Sequence, residues 1–191
     1  MPTTGAHADQ VRKPGWTPVG VGLSPGMRRH ARGRMPIALA DGRRLPIRSG
    51  SLSAVIAVMV HTDMPAYLAV VREAARILRP GGRVRPHRRP PCFRGAFADR
   101  SDREAIVLRS GYRDRHWTKE SWTDKGIRHL VGATHRPLPD LLHTFLDAGL
   151  ALERFTEGGA QTPITFFARA HEPTAMTTRT VVARCYRRRH A

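Results

Sequence analysis

The sequence is poor in acidic residues, in lysine and in cysteine. Of its 191 residues only 15 are Asp or Glu, against 33 Lys and Arg, and the formal net charge is +18. Lys13, Lys119 and Lys125 are the lysines, so arginine supplies nearly all of the positive charge. This balance is typical of proteins that meet polyanions, either nucleic acid or an anionic membrane surface.

What the chain lacks also excludes several classes of protein. The two cysteines, Cys92 and Cys185, cannot form a dense disulfide framework, and no C-x-x-C pair is present for zinc. The longest apolar run, Leu52–Val60, has about half the length that a membrane-spanning helix needs. Residues 1–14 contain no apolar core of a secretory signal. We therefore expect a cytoplasmic protein without a membrane span.

The order of the apolar runs predicts the fold class. Strand-like runs occupy residues 16–21, 37–40 and 52–60, and the third is apolar on both faces, as in a central parallel strand. Helical patterns separate these runs. Strands that alternate with helices are typical of a doubly wound α/β domain with a mostly parallel sheet.

Capping residues place the helices. Ser24 and Pro25 form an N-cap and first-turn pair for a helix from Met27 to Arg34. A second helix begins near Asp63 and Pro65 and ends at residues 79–82. A third begins at Pro139, and Gly149 is its C-terminal glycine.

The remaining segments complete the predicted domain organisation. Residues 150–155 and 164–168 are predicted to pair antiparallel at the edge of the sheet. We expect a disordered lead-in at 1–14, one domain at 15–170 and a basic disordered tail at 171–191. Residues 85–137 are less regular and are assigned to the substrate side of the domain.

Five segments in this order resemble class I S-adenosylmethionine-dependent methyltransferases related to ubiquinone and menaquinone biosynthesis. They are Val19–Met27, similar to the second strand and its turn; Ala40–Pro46, similar to D-A-x-x-L-P; Ser51–Ile56, similar to S-F-D-x-V; Arg72–Arg83, similar to R-E-x-x-R-V-L-x-P-G-G; and Leu146–Leu150, similar to an A-G-F step.

The resemblance implies S-adenosylmethionine as cofactor, bound outside the carboxyl ends of the strands. It implies that Asp41 accepts a hydrogen bond from the adenine amino group and that Leu23, Met27 and Leu45 form an apolar wall around the adenine. It also implies that main-chain groups of Val58 and Met59 contact the methionine part. The implied cofactor residues are Gly22, Leu23, Met27, Asp41, Gly42, Leu45, Val58 and Met59. Gly22 stands where relatives carry the acid that holds the ribose hydroxyls.

The sequence also departs from this family. No D-x-G-x-G-x-G loop, whose glycines let backbone amides approach the cofactor, occurs in residues 1–14. The chain therefore resembles a domain that begins one βα unit late, and we expect an incomplete sheet without its central first strand. The arginines and prolines of residues 83–91 predict that no buried fifth strand forms there. Ser53 replaces the usual Asp.

Histidines are the candidate catalytic residues. His61 follows the third apolar run and could act as a general base; alternatively it is a polar loop residue beside Asp63. His135 is the second candidate, and His116 lies in the same substrate-side region. Asp41 also has an alternative interpretation as an ordinary turn aspartate before a glycine.

The other prominent residues have structural interpretations beside functional ones. Trp117 and Trp122 either line a substrate pocket or pack a lid on the core. We expect no metal site, because the spacing of His87, Cys92 and Cys185 matches no known pattern. The arginines of residues 83–94 could contact a polyanion, and those of residues 187–190 either grip phosphate or belong to a solvated tail.

The sequence thus predicts methyl transfer to a small-molecule acceptor, impaired because the glycine-rich cofactor loop is absent. Two other functions stay open. One is a basic nucleic-acid-binding module, to which the charge points only when it is taken alone. The other is an inactive fragment of a methyltransferase.

Overall fold

A computed structural model describes residues 4–58, 60–88, 97–99, 102, 105–119, 130, 132–159 and 163–173. The strands are β1 (Gly20–Gly22), β2 (Ile37–Leu39), β3 (Leu52–Val58), β4 (Leu78–Arg88), β5 (Ala98–Asp99), β6 (Val107–Leu108), β7 (His116–Thr118), β8 (Ala133–His135), β9 (Ala151–Gly159) and β10 (Pro163–His171). The helices are α1 (Ala8–Arg12), α2 (Pro25–Ala31), α3 (Val60–Asp63), α4 (Tyr67–Ile77) and α5 (Leu138–Leu146).

Strands β1 and β2 form a parallel pair joined by α2. The helix begins where the capping signal predicts, because the Ser24 hydroxyl accepts a hydrogen bond from the Met27 backbone N–H at 3.3 Å. It ends at Ala31, three residues before the predicted end. Arg32 is already extended, and Gly33 has a φ of +79°, a conformation that favours glycine.

The second sheet has the order β3-β4-β10-β9. Strands β3 and β4 run parallel, and α4 connects them. Strand β10 runs antiparallel to both β4 and β9, which form its two neighbours. The chain therefore has the predicted α/β architecture with an antiparallel C-terminal edge.

Among the residues that the structure describes, no strand joins the two sheets. Strand β1 pairs with β2 and β3 pairs with β4, so each leaves one edge without a strand partner there. A doubly wound sheet has the strand order 3-2-1-4-5, and these two pairs correspond to that order without strand 1. We call the break between β1 and β3 the sheet split.

The prediction that no buried fifth strand forms in residues 83–91 is corrected by strand β4, one face of which is buried. Residues 83–88 belong to β4, which lies between β3 and β10. Val84 and Pro86 are buried, whereas Arg83 and Arg85 point to the exposed face, so the cations stay in water. Between its pairs at residues 84 and 87, the β4–β10 ladder is interrupted at Arg85 and Pro86, and Pro86 has no N–H to donate.

The core lies on one face of the four-stranded sheet. Leu141 and Phe145 of α5 are fully buried and pack with Val71 of α4 and Val84 of β4. The Tyr67 and Phe145 rings meet edge to face with their centroids 6.4 Å apart. On the opposite face Ile56, whose partner in β4 is Arg85, is 49 % exposed. The helices α4 and α5 therefore cover one face of this sheet.

The N-terminal segment differs from the predicted disordered lead-in. Residues 8–12 form the helix α1, and Ala8 is 2 % exposed. The Arg12 guanidinium donates a hydrogen bond to the Arg34 carbonyl, and Gly5 lies against Ala31 and Arg34. So short a helix is unstable alone, and its contacts with the end of α2 stabilise it.

None of the helices that the structure describes is long and apolar enough to span a bilayer.

Candidate cofactor and substrate site

The predicted cofactor residues cluster at the carboxyl ends of β1, β2 and β3. Gly22 is the last residue of β1, Asp41 and Gly42 follow β2, and Val58 is the last residue of β3. Leu23 is 64 % exposed, whereas Met27 and Leu45 are half-buried. Met59 lies outside the described residues. These residues thus lie at or just after the carboxyl ends of their strands, where ligands bind in a doubly wound fold.

The Asp41 carboxylate is bound by Arg43, two residues along the chain. Its Oδ1 accepts from the Arg43 backbone N–H at 2.8 Å, and its Oδ2 accepts from the guanidinium Nη2 at 2.6 Å. These hydrogen bonds from the side chain and then the backbone of Arg43 lower the pKa of Asp41. The geometry is that of the turn aspartate, and it fills the lone pairs that an adenine amino group would use.

A salt bridge on α4 holds the loop that carries Leu45. Glu73 accepts the Leu45 backbone N–H at 2.6 Å and pairs with Arg76 at 2.7 Å. Arg76 in turn donates to the Ile47 carbonyl at 2.9 Å and to the Ser49 hydroxyl at 2.8 Å. The hydrogen bond from Arg76 is the main reason that the pKa of Glu73 is lowered.

Sequence analysis did not assign a role to Glu73 and Arg76. The signal was present, because both belong to the R-E-x-x-R segment on which the resemblance rests. The spacing of three residues places the two side chains on one face of α4. Their role is to hold the loop from 45 to 49 against α4.

His61 is buried and held in α3, so it is not the loop residue that the alternative interpretation assumed. Its side chain is 3 % exposed, and its ring meets that of Tyr67 at 6.3 Å. Its backbone carbonyl accepts from Arg136 at 2.6 Å, and Arg136 also donates to the carbonyls of Met64 and Pro65. Burial lowers the pKa of Arg136. The hydrogen bonds of Arg136 hold the end of β8 against the segment that follows the carboxyl end of β3.

His135 and His116 are brought together by the β7–β8 pair. They are direct partners in the ladder, and their rings lie 5.4 Å apart. His135 is 6 % exposed and donates from Nε2 to the Tyr112 carbonyl at 2.7 Å. The Phe97 and Tyr112 rings pack on it at 4.9 and 5.7 Å. Because Arg136 follows His135, this histidine pair lies next to the strand ends.

The environments of the two histidines differ. Burial lowers the pKa of His135. His116 is half-buried and donates from Nδ1 to the Asp114 carbonyl at 2.8 Å, which leaves Nε2 as the acceptor of a neutral ring. Of the two, His116 has the greater access to a bound molecule.

The buried His135 predicts a pH dependence of stability. The unfolded chain takes up a proton on this residue near the usual pKa of 6.5, whereas burial opposes protonation in the folded state. The stabilisation is therefore fully present above that pH and is lost as the pH falls below it. We expect the free energy of unfolding, measured by urea denaturation between about pH 8 and pH 5, to fall more steeply for the native chain than for His135→Gln. Equal slopes would contradict this assignment.

Of the other predicted residues, one lies on β7 and the rest lie outside the described residues. Trp117 is 54 % exposed, and Lys119 lies 5.8 Å from the centre of its ring. Trp122, Cys92, Cys185 and residues 187–190 lie outside the described residues. Within the ranges given above, no group of three His, Cys, Asp or Glu side chains could hold a metal ion.

A basic cleft lies on another part of the domain. It has a volume of about 560 Å³ and is lined by Arg28, Arg29 and Arg32 together with Met35 and Ile37. It lies beside α2 and the start of β2, whereas the predicted cofactor residues lie at the strand ends. None of them lines this cleft.

Comparisons with known proteins point to one family. A family model of a methyltransferase domain matches residues 2–85. The chain is similar to methyltransferase domains over these residues, which are less than half of its length. The match reaches into the segment that the sequence analysis placed before the domain. None of the curated proteins is similar enough in sequence to count as a relative.

Solved structures show the same fold at low sequence identity. An S-adenosylmethionine-dependent methyltransferase of Mesorhizobium loti superposes with a TM-score of 0.66 at 20 % identity, over 80 % of this chain and 79 % of that one. One from Methanosarcina mazei gives 0.63 at 12 %, over 90 % and 89 %. The [4+2]-cyclase SpnF gives 0.65 at 16 %, over 90 % and 72 %. Because SpnF shares the fold, fold alone does not fix the reaction.

The methyltransferase match implies S-adenosylmethionine as the cofactor, and the described residues suit it unevenly. Leu23, Met27 and Leu45 are apolar, as the wall of an adenine site requires. On the polar side, β1 ends in Gly22, which offers no carboxylate, and the Asp41 carboxylate is taken up by Arg43. The described residues therefore match the apolar part of the cofactor better than its hydroxyl and amino groups.

Proposed function

We propose that this methyltransferase domain acts in the cytoplasm on a small-molecule acceptor and that it binds S-adenosylmethionine weakly. The proposal rests on the two positions at the strand ends where an acidic side chain would bind the cofactor. Gly22 has no side chain to hold a ribose, and Asp41 is bound by Arg43. Charge-assisted hydrogen bonds are the strongest polar contacts that such a site can make.

The remaining cofactor contacts come from apolar and backbone groups. We assign the adenine wall to Leu23, Met27 and Leu45, close backbone approach to Gly42, and main-chain contacts with the methionine part to Val58. S-adenosylmethionine, when bound, supplies a methyl group on a sulfonium, and transfer depends chiefly on holding donor and acceptor in line. A chain that fixes the adenine but not the ribose loses much of this positioning.

The acceptor side of the proposed site is formed by β7 and β8. His116 is the better placed of the histidines to take a proton from an acceptor hydroxyl or amine, because it is half-buried and has a free acceptor nitrogen when neutral. His135 and His61, both almost fully buried, position this region against Tyr112 and Arg136. We assign them supporting roles, with direct contact to the acceptor for His116.

The substitution Arg43→Ala tests the proposal, because it frees the Asp41 carboxylate. We expect the affinity for S-adenosylmethionine to rise by up to about fivefold, which corresponds to the usual worth of an exposed ion pair. The measurement is the rise in melting temperature on adding about 5 mM S-adenosylmethionine, since a ligand stabilises the folded state according to its dissociation constant. The rise should be larger in the variant than in the native chain.

Arg44→Ala is the matched control. Arg44 is the exposed next residue and makes no side-chain hydrogen bond to Asp41 in the structure, so its removal changes the charge without freeing the carboxylate. The proposal fails if the two variants respond equally, or if the native chain already shows the stabilisation expected for micromolar binding.

The alternative function is a basic nucleic-acid-binding module. The cleft lined by Arg28, Arg29 and Arg32 supports it, because cations grouped around a groove suit a phosphate backbone. Binding of that kind weakens steeply with salt, whereas binding of the cofactor to an apolar adenine wall does not. An inactive methyltransferase fragment is expected to bind neither nucleic acid nor S-adenosylmethionine.

A further inference from the structure

The basic cleft beside α2 has an arginine rim and an apolar base. The rim consists of Arg28, Arg29 and Arg32, whose side chains are exposed. The base consists of Met35 and Ile37, which are half-buried. These residues come from α2, from the turn after it and from the start of β2, so one short segment of the chain supplies both parts of the cleft.

The apolar base is packed against β1. Ile37 is the ladder partner of Gly20, and the Gly20 N–H donates to the Pro36 carbonyl at 2.9 Å. A Cβ added at Gly20 would lie 2.7 Å from the Met35 Cε, so the methionine side chain occupies the space beside this glycine. The sheet therefore fixes the base, and its apolar surface does not depend on a bound molecule.

The turn after α2 brings the arginine rim and the apolar base together. The backbone N–H groups of Arg34 and Met35 both donate to the Ala31 carbonyl, at 2.9 and 3.3 Å. Gly33 has a φ of +79°, a conformation that favours glycine and reverses the chain. The chain therefore turns back directly after α2, which sets the base beside the helix that carries most of the rim.

Positive charge dominates the sequence around the cleft. Residues 10–40 contain five arginines and one lysine but no Asp or Glu. Two of these arginines contact the N-terminal segment: Arg12 pairs with Asp9 at 2.9 Å, and Arg34 donates to the Thr4 carbonyl at 3.5 Å. The other three form the rim. Guanidinium groups bind phosphate oxygens bidentately, and several of them at one cleft attract an anion with more than one charge.

We propose that this cleft binds a small molecule that carries a phosphate group on an apolar body. The phosphate is held by the arginine rim, and the apolar body covers Met35 and Ile37. The volume of about 560 Å³ suits such a molecule, since small-molecule sites measure roughly 300–1,000 Å³. This ligand is distinct from S-adenosylmethionine, which has no phosphate, so the proposal does not rest on methyl transfer.

The apolar base distinguishes this ligand from nucleic acid. A nucleic-acid backbone would engage the arginine rim through its phosphates, but it has no apolar group that needs Met35 and Ile37. A phosphate on an apolar body uses both parts of the cleft, because covering an apolar surface is itself favourable. The combination of rim and base therefore favours the small molecule.

Calorimetric titration of the full-length chain with phenyl phosphate, inorganic phosphate and phenol tests the proposal. At about pH 7.5 a phosphate monoester is largely a dianion. We expect phenyl phosphate to bind saturably with a dissociation constant below about 1 mM. Inorganic phosphate should bind about tenfold more weakly, because it leaves the apolar base uncovered. Phenol, which lacks the phosphate, should show no saturation below about 10 mM.

Variants of one rim arginine locate the binding. Arg28→Ala should weaken phenyl phosphate binding by about tenfold, because it removes hydrogen bonds from a charged donor. Arg28→Lys should restore only part of the affinity, since an ammonium group cannot make the bidentate contact. Arg72→Ala is the matched control, because Arg72 is an exposed residue of α4 that does not line the cleft. It removes the same charge and should leave the affinity unchanged.

Four results would overturn the proposal. One is the absence of saturable phenyl phosphate binding to the native chain. Another is equal weakening by Arg28→Ala and Arg72→Ala, because the overall charge of the chain would then explain the binding. Equal affinity for phenyl phosphate and inorganic phosphate would show that the apolar base takes no part. Finally, if single-stranded oligothymidylate bound in an Arg28-dependent manner and phenyl phosphate did not, the cleft would be a nucleic-acid site.

Discussion

Replacing Phe145 by alanine is expected to destabilise the domain by about 3–5 kcal/mol. Phe145 is fully buried among α4, α5 and the sheet, and its ring packs against Tyr67. The loss is large against the 5–15 kcal/mol or so that holds an ordinary domain together. On the opposite face of the four-stranded sheet Ile56 is 49 % exposed, so among the described residues little other core is available to compensate.

Leu146→Ala is the matched control for this prediction. Leu146 is the next residue of α5, but it is 50 % exposed, so its truncation should change the free energy of unfolding by no more than about 0.5 kcal/mol. Urea denaturation of the two variants and the native chain gives the comparison. If both leucine and phenylalanine variants lose the same stability, the core does not lie on the α4–α5 face.

The second large effect is expected from Gly22→Asp. Gly22 ends β1 at the position where the resemblance places the acid that holds the ribose hydroxyls. Hydrogen bonds to a charged group contribute about 1.5–3 kcal/mol, which corresponds to an affinity gain of roughly 10- to 100-fold. The extended backbone of β1 accommodates an L-residue.

Strong local patterns were sufficient to predict much of the fold. β3, α4 and α5 were predictable from an apolar run, helical spacing and capping residues. The Ser24–Pro25 pair predicted the start of α2. The order and spacing of the five short segments were sufficient to indicate the family, although each segment alone has little specificity.

Strand β4 was not predictable because it depends on which face of the sheet is covered. Arginine and proline exclude a strand that is buried on both faces, but Arg83 and Arg85 lie on an open face. At Pro86 the ladder with β10 is interrupted. Neither condition can be known from residues 83–91 alone, because both depend on β10 and on the helices.

In the site, too, contacts between residues that are distant in sequence could not be predicted. The Asp41–Arg43 hydrogen bond joins residues two apart in sequence. It could therefore have been predicted from the D-G-R sequence and the tendency of aspartate to form turns. The burial of His61 and its tie to Arg136 join residues 75 apart in sequence. No local pattern predicts that contact.

Calorimetric titration of S-adenosylmethionine into the native chain and into Gly22→Asp tests the central claim most directly. That claim is that the domain keeps the methyltransferase fold but lacks the acidic contacts that hold the cofactor. We expect a dissociation constant weaker than about 1 mM for the native chain and one about 10- to 100-fold lower for the variant. Micromolar binding by the native chain, with no gain in Gly22→Asp, would contradict the account.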